Sequence, residues 1–410
     1  MVRRRRLHPS VWAVLGTNTV DSIGTSVVSL AVIWLLTGLS HSSLDLGLYF
    51  MVIELPYLAL LVPAGMWADG TNRRGLALGI LVARILATLV LAFLAHLHHV
   101  GWPTIALAVV AQEAATAILQ PTFSAWLHGI VPQEDFAVLS GWRQAGNNMA
   151  NLLGPTLGGI LVALAGIPGA ILIGALAGLP NWFAVARCRL QERRSWPQAK
   201  RERARFATGW KFLRERPGVL AMVLFFSATN GLNNVEAVLV PLMARLVLHL
   251  PAWQFGLLST AFGVGGLIGA WYGVRLDAIG GRRLSWVFGS MAIFALAIVA
   301  MGFAQNGMWL ALAYLILGLS FTVAEVVTSA LWQRMVPDDL RGRVLSTMST
   351  LARAANPIGF LLAGWVGAAF GVRAGLWVGG GTILALTAVV SVSGAVRALS
   401  QNLAEGAAAN

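Results

Sequence analysis

The sequence predicts an all-α integral membrane protein, with twelve transmembrane helices arranged as two six-helix, pseudo-symmetric halves. Three observations carry that expectation. Hydrophobic residues make up 57% of the 410 residues and charged residues only 11%, whereas soluble domains carry about a quarter charged residues. Apolar stretches of about 20 residues, enough to cross a bilayer, recur about twelve times with short connections. Loop patterns from the first half also return in the second. Such a chain leaves no room for a sizeable soluble domain. The single cysteine, Cys188, excludes an intrachain disulfide, and no C-x-x-C metal pair is present. The formal charge is +13, and nearly every Arg and Lys falls in alternate connections, with Arg245 and Arg373 on the outer side, as the positive-inside rule requires. The expected partners are therefore the lipid bilayer and a small molecule, with no nucleic acid. The expected location is the inner (cytoplasmic) cell membrane, with both termini on the cytoplasmic side.

Residues 1–10 form a basic cytoplasmic N-terminus whose four consecutive arginines look like the charged region of a signal peptide. The apolar run from Val11 to Leu36 is too long for a signal core and reads as a retained first span. Residues 11–187 are expected to form the N-terminal six-helix bundle. The segment 188–217 is dense in Arg, Lys and Glu and ends in TGWKFLRERPG. Trp210, Phe212 and Leu213 among Lys211, Arg214 and Arg216 read as an amphipathic helix on the inner membrane surface. Residues 218–398 supply the second bundle, and 399–410 form a polar cytoplasmic tail.

The halves echo one another. Gly65-x-x-x-Asp69 with Arg73-Arg74 returns as Gly273-x-x-x-Asp277 with Arg282-Arg283. Val131-Pro132 returns as Val336-Pro337, and Val138-Leu139-Ser140 as Val344-Leu345-Ser346. Gly154-Pro155 has a looser counterpart at Pro357 to Gly359. Patterns in register half a chain apart are what a parallel duplication of six spans predicts.

The fifth span, GWRQAGNNMANLLGPTLGG, carries five glycines, a proline and three asparagines within a long apolar segment. In water it would read as a loop. In a bilayer it stays helical, because no solvent competes for its backbone bonds, and its glycines open a face for close helix approach. Gly141, Ala150, Gly154-Pro155 and Gly158-Gly159 resemble the antiporter motif on the fifth span of major facilitator exporters, with Ala150 in place of a glycine. The turn GMWADGTNRRG is similar to the loop between spans two and three of that superfamily. Gly65, Asp69, Arg73 and Arg74 match it, Gly70 replaces a basic residue, and Asn72 replaces a glycine. Asn72 is expected to adopt the left-handed backbone that glycine would supply. The resemblance implies that Asp69 locks the cytoplasmic side, favoured by the dipole of a helix N-terminus. By the repeat, Asp277 and Arg282 share that gating role; a charged turn that only sets topology is the alternative.

Within the superfamily the chain resembles the third drug-exporter family, which includes macrolide and enterobactin-type siderophore exporters. The stretches QPTFSAWLHGIVP, LLGPTLGGILVALAG, GWKFLRERPGV and WQRMVPDDLRGRVLS carry this likeness. The arginine that many proton-coupled members place on span four is absent. That span has Gln112 and Glu113 instead, so coupling through such an arginine does not carry over.

Burying a lone charge at the bilayer centre costs about 2.5–3.5 kcal/mol on insertion scales. Five carboxylates within spans are therefore candidates for binding substrate or protons: Asp21 (with Asn18 beside it), Glu54, Glu113, Glu236 and Glu325. The first three belong to the N-terminal half, where they could ring one cavity. Alternatively, Asp21 and Asn18 only hydrogen-bond a neighbouring helix, and Glu54 or Glu113 pairs with Arg84. The cluster His96, His98 and His99 reads as interfacial, so no metal is expected. No cofactor, nucleotide loop or nucleophile–base pair is visible. The expected function is not an enzyme's. It is a monomeric secondary transporter exporting an amphipathic or cationic small molecule by alternating access, with protons as the coupling ion. An uptake permease or lysophospholipid flippase of the same fold is the alternative, followed by a non-transporting receptor or scaffold.

Overall fold

Prolines, caps and glycine breaks divide this apolar chain into helices. The computed structural model describes residues 7–70, 72–97, 101–190, 202–279, 283–337, 340–394 and 396–397. At 57–58, 61–70, 202–207 and 277–279 the description covers the backbone alone. The helices of the first half are α1 (Pro9–Leu39), α2 (Ser43–Gly70), α3 (Arg73–His96), α4 (Trp102–Ile130), α5 (Phe136–Leu176) and α6 (Gly178–Arg187). Then come α7 (Glu202–Arg214), α8 (Pro217–Leu242), α9 (Ala252–Ile279), α10 (Arg283–Gly302), α11 (Gly307–Met335), α12 (Arg341–Ala354), α13 (Asn356–Phe370) and α14 (Val372–Ser391). A 3-10 turn at Gln133–Asp135 precedes α5, and α8 runs on into a π-helical turn at Met243–Val247. No strand occurs among the described residues.

Nine stretches among the described residues are long and apolar enough to cross a membrane. One of them, residues 133–187, has 55 residues and would run roughly 80 Å as a single helix. It is broken at Gly166, whose φ of 72° and ψ of 173° suit only glycine, so it makes two crossings. With α2 and the α12–α13 pair added, the architecture is consistent with twelve spans. The duplication is visible in the backbone. Helices α4 and α11 are both 29 residues long. Gly371, between α13 and α14, repeats the Gly166 conformation with φ 81° and ψ 165°.

The chain divides into two compact units. The first comprises Met1–Ser40, Val52–Ala199 and Pro251–Ser259, and the second His41–Met51, Lys200–Leu250 and Thr260–Asn410. In the first, Val14 and Leu15 of α1, Leu81 of α3, Trp126 and Leu127 of α4 and Val185 of α6 form one apolar core. In the second, Phe212 and Leu213 of α7 pack with Val219 and Val223 of α8 and Val344 and Met348 of α12. The linker helix α7 therefore spends these apolar side chains on protein rather than on the membrane surface, and leaves Trp210 exposed. Gly209 permits that docking, because a Cβ there would run into Thr347.

The turn before α3 departs from expectation. Asn72 has φ −64° and ψ 98°, not a left-handed backbone, and its side chain accepts a hydrogen bond from the Gly75 amide at 3.1 Å. It works as an N-cap, one of the preferred uses of asparagine. Asp69 lies in the last turn of α2, not at the start of α3.

Candidate functional site

Close helix packing sets the position of Asp21. Helix α1 lies along α5, where Gly146, Ala150, Gly154 and Gly158 recur at four-residue spacing and are buried. A Cβ on Gly146 would run into Thr19, and one on Gly154 into Ser26, both on α1. A Cβ on Gly158 would come within 3.2 Å of the Val27 backbone. Gly24 makes the reciprocal approach from α1, where a Cβ would lie 2.6 Å from the Gly174 carbonyl oxygen. Small residues thus bring α1 against α5 and aim Asp21 at the neighbouring helices.

Three helices meet at that carboxylate. Arg84 of α3 forms an ion pair with Oδ1 of Asp21, and Nδ2 of Asn181 on α6 donates to Oδ2 at 2.9 Å. The second guanidinium nitrogen of Arg84 donates to Oγ1 of Thr25 at 3.3 Å. Asp21, Arg84 and Asn181 are 4%, 8% and 1% exposed, so the pair is shielded and its geometry counts. Removing one partner of a buried pair leaves an uncompensated charge.

The pair lines a half-open cavity of about 300 Å³ in the first unit, together with Asn18, Ser22, Gln120, Asn147 and Asn151. That volume is at the small end for ligand pockets, roughly 300–1,000 Å³. Among the described residues its charged wall is the Asp21–Arg84 pair, which is neutral as a unit, and the remaining polar lining is amide and hydroxyl. Such a lining can hydrogen-bond a polar group from many directions. Asn181 keeps Oδ1 without a hydrogen-bond partner. Behind the pair, Gln112, buried on α4, has Oε1 in the same condition and borders a water-sized space shared with Asp21 and Arg84.

The structure thus brings Asn18 and Asp21 to one cavity, but Glu54 and Glu113 do not line it. Arg84 forms its ion pair with Asp21, because the glycine-mediated approach of α1 presents that carboxylate directly to α3. Glu113 is half-buried on α4, within electrostatic range of Arg84 and Glu54. Glu236 lies in the second unit and accepts a hydrogen bond from the Tyr314 hydroxyl. Glu325 is exposed on α11.

Of the antiporter-like residues, Gly154 and Gly158 pack on α1. Gly159 lies against the backbone of Ala252 and Trp253, Pro155 turns its carbonyl toward Gly256, and Gly141 faces open space. In the gating set, Arg73 is buried, and Arg74 donates from Nε to the Val185 carbonyl at 3.1 Å and from Nη2 to the Ala186 carbonyl. That cation ties α3 to the C-terminal end of α6, the end that favours positive charge. Gly65 and Asp69 in α2 and Asp277 in α9 are described by backbone only, and Arg282 lies outside the described residues, as do His98 and His99. No cluster of three metal-ligating side chains occurs among the described residues.

Sequence reasoning missed Asn181 and Tyr314. Asn181 carried a usable signal, since it is an amide within an otherwise apolar sixth span. Tyr314 carried none, because a tyrosine in a span serves packing equally well.

The sequence profile of the Major Facilitator Superfamily matches residues 14–355 and 239–404. Macrolide efflux protein A of Streptococcus pyogenes is 22% identical over 399 residues, covering 95% of this chain and 96% of its own. Multidrug efflux pump Tap of Mycolicibacterium fortuitum is 25% identical over 407 residues, covering 93% of each. Among solved structures, a bacterial homologue of the iron transporter ferroportin in an inward-facing state superposes with a TM-score of 0.73 at 16% identity. That match covers 95% of this chain and all of the other. A bacterial homologue of the lysosomal transporter Spinster gives 0.73 at 14% identity over 96% of each chain. These two likenesses speak for the fold.

Proposed function

We infer that this chain, which belongs to the Major Facilitator Superfamily and is a transporter rather than an enzyme, exports an amphipathic small molecule by alternating access. The substrate class is a drug, macrolide or siderophore-like metabolite, and the proton gradient drives export. The protein works as a monomer in the cytoplasmic membrane, with both termini in the cytoplasm. Efflux relatives aligned along nearly the whole chain support this reading. The observation that carries it is the polar cavity beside Asp21 and Arg84, set inside an apolar bundle where polar groups are expensive and mark function. Because Arg84 matches the charge of Asp21, this cavity favours neutral hydrogen-bonding groups over bare cations.

The test is accumulation of a panel of macrolides, cationic dyes and siderophores in a host stripped of its own pumps. Expression is expected to lower accumulation of at least one compound severalfold, with a macrolide ahead of the dyes, and a protonophore to abolish the difference. Unchanged or raised accumulation of every compound, with the protein present in the membrane, would overturn the export reading.

A further inference from the structure

Asp21 and Glu236 are both carboxyl groups inside helical bundles, but only one of them can change charge without stranding a partner. A proton on Asp21 would leave the Arg84 guanidinium buried with its counter-charge gone, at the expense that accompanies a broken buried pair. It would also put a donor where Arg84 and Asn181 already donate. The surroundings of Asp21 are complementary to a carboxylate.

Glu236 is the only ionisable side chain on α8. Its partner is a neutral hydroxyl that can stay in place in either protonation state, that of Tyr314 on α11. One turn back on the same helix face, Asn233 presents a buried Oδ1 that has no hydrogen-bond partner. The carboxylate accepts from Tyr314, while the protonated acid needs an acceptor, and Asn233, three residues back on the same helix, has an unused one.

The elements packed against α8 carry these charged groups. Helices α7, α12, α13 and α14 and the π-helical turn pack against α8. Helix α13 has no ionisable side chain, and α14 has only Arg373, which donates to the Gly302 carbonyl. Arg341, Arg343 and Arg353 belong to α12, and Lys211 and Arg214 to the described side chains of α7. Arg245, in the π-helical turn, is about 13 Å along the helix from Glu236 at 1.5 Å per residue. On α11, Glu325 lies about 16 Å from Tyr314 by the same measure, and Arg334 lies farther still. Tyr314 is the side chain bonded to Glu236.

We propose that Glu236, held by Tyr314, is the group that binds and releases the coupling proton, and that Asp21 is not. This rests on the reading of the chain as a proton-coupled exporter. On loading, a proton from water bonds to the Glu236 oxygen that Tyr314 does not engage, and the resulting O–H donates to Asn233. On release the proton returns to water, and the carboxylate again accepts from Tyr314. Proton and substrate then occupy different units of the molecule.

The test needs no substrate. Infrared difference spectra of the purified full chain in liposomes, taken across a pH titration, report the stretching band of a protonated carboxyl group. A Glu236 component of that band is expected to titrate in the wild type and in Asp21→Asn, to be missing in Glu236→Gln and to be displaced in midpoint in Tyr314→Phe, with circular dichroism confirming helical content. If Glu236→Gln does not fold, Glu236→Asp is expected to displace the midpoint instead. A band that survives Glu236→Gln unchanged, or disappears in Asp21→Asn or Glu113→Gln, would overturn the assignment. So would the absence of any titrating band in the wild type. A failed export panel alongside a Glu236-dependent band would strike the transport reading and leave the proton site standing.

Discussion

In the first unit, Asp21 sits within reach of a guanidinium and an amide, each on a different helix. In the second, Glu236 meets a tyrosine hydroxyl, and Asn233 on the same helix has a buried amide oxygen without a donor. The backbones that hold them are matched, with α4 and α11 equal in length and Gly166 and Gly371 in the same rare conformation. Duplication has kept the scaffold and let the polar interior diverge. One unit has a charge-neutral, hydrogen-bonding cavity and the other a carboxyl held by a neutral hydroxyl. The difference suggests a division of labour, with substrate handled in one unit and the proton in the other.

The sharpest way to break that comparison is to remove the cation. Arg84→Leu is expected to destabilise the first unit by about 3–5 kcal/mol, because Asp21 is left buried and unpaired. Asp21→Leu combined with Arg84→Leu should recover much of that loss, since apolar replacement of a whole buried pair is often neutral. Tyr314→Phe removes a neutral donor and should cost less, about 1–3 kcal/mol. Thermal unfolding in detergent ranks the four proteins. Equal losses for Arg84→Leu and Tyr314→Phe would erase the distinction between the units.

A smaller contrast lies inside α5. Gly154→Leu forces a side chain into Ser26 of α1 and is expected to cost about 1–3 kcal/mol from overpacking, with loss of export as α1 is pushed away. Gly141→Ala meets nothing within 4 Å, and its helix propensity favours it by up to about 1 kcal/mol. The same unfolding assay should therefore show opposite signs for two glycines of one motif. Similar losses at both would mean that the motif's face is not the α1 contact.

Much of this was legible in the sequence, and the limits have physical causes. Apolar length revealed the spans, and the repeated loops revealed the duplication that the paired helices display. The glycine spacing on the fifth span disclosed a close-packed face. What it left open was the identity of the neighbour, because periodicity describes one helix and not the partner it meets. For the same reason the sequence offers Glu54 or Glu113 as an alternative partner for Arg84, when the approach of α1 hands it Asp21. Asn72 was read through the glycine it replaces, although asparagine has a side chain able to cap α3. Of the site, Asp21 and Asn18 stood out as polar groups in an apolar span, whereas Asn181 and Tyr314 acquire meaning only from the groups they touch.

The most direct test of the account is to fill the cavity of the first unit while leaving the Asp21–Arg84 pair untouched. Gln120 lines that cavity from α4 and is exposed, so Gln120→Trp adds bulk there without entering the α1–α5 contact. Accumulation of an exported panel compound would be measured in cells with matched amounts of wild-type and variant protein. The account predicts that the variant keeps its unfolding temperature and lets accumulation return to the level of cells lacking the protein. Undiminished export by a stable Gln120→Trp protein would contradict the claim that substrate occupies this cavity.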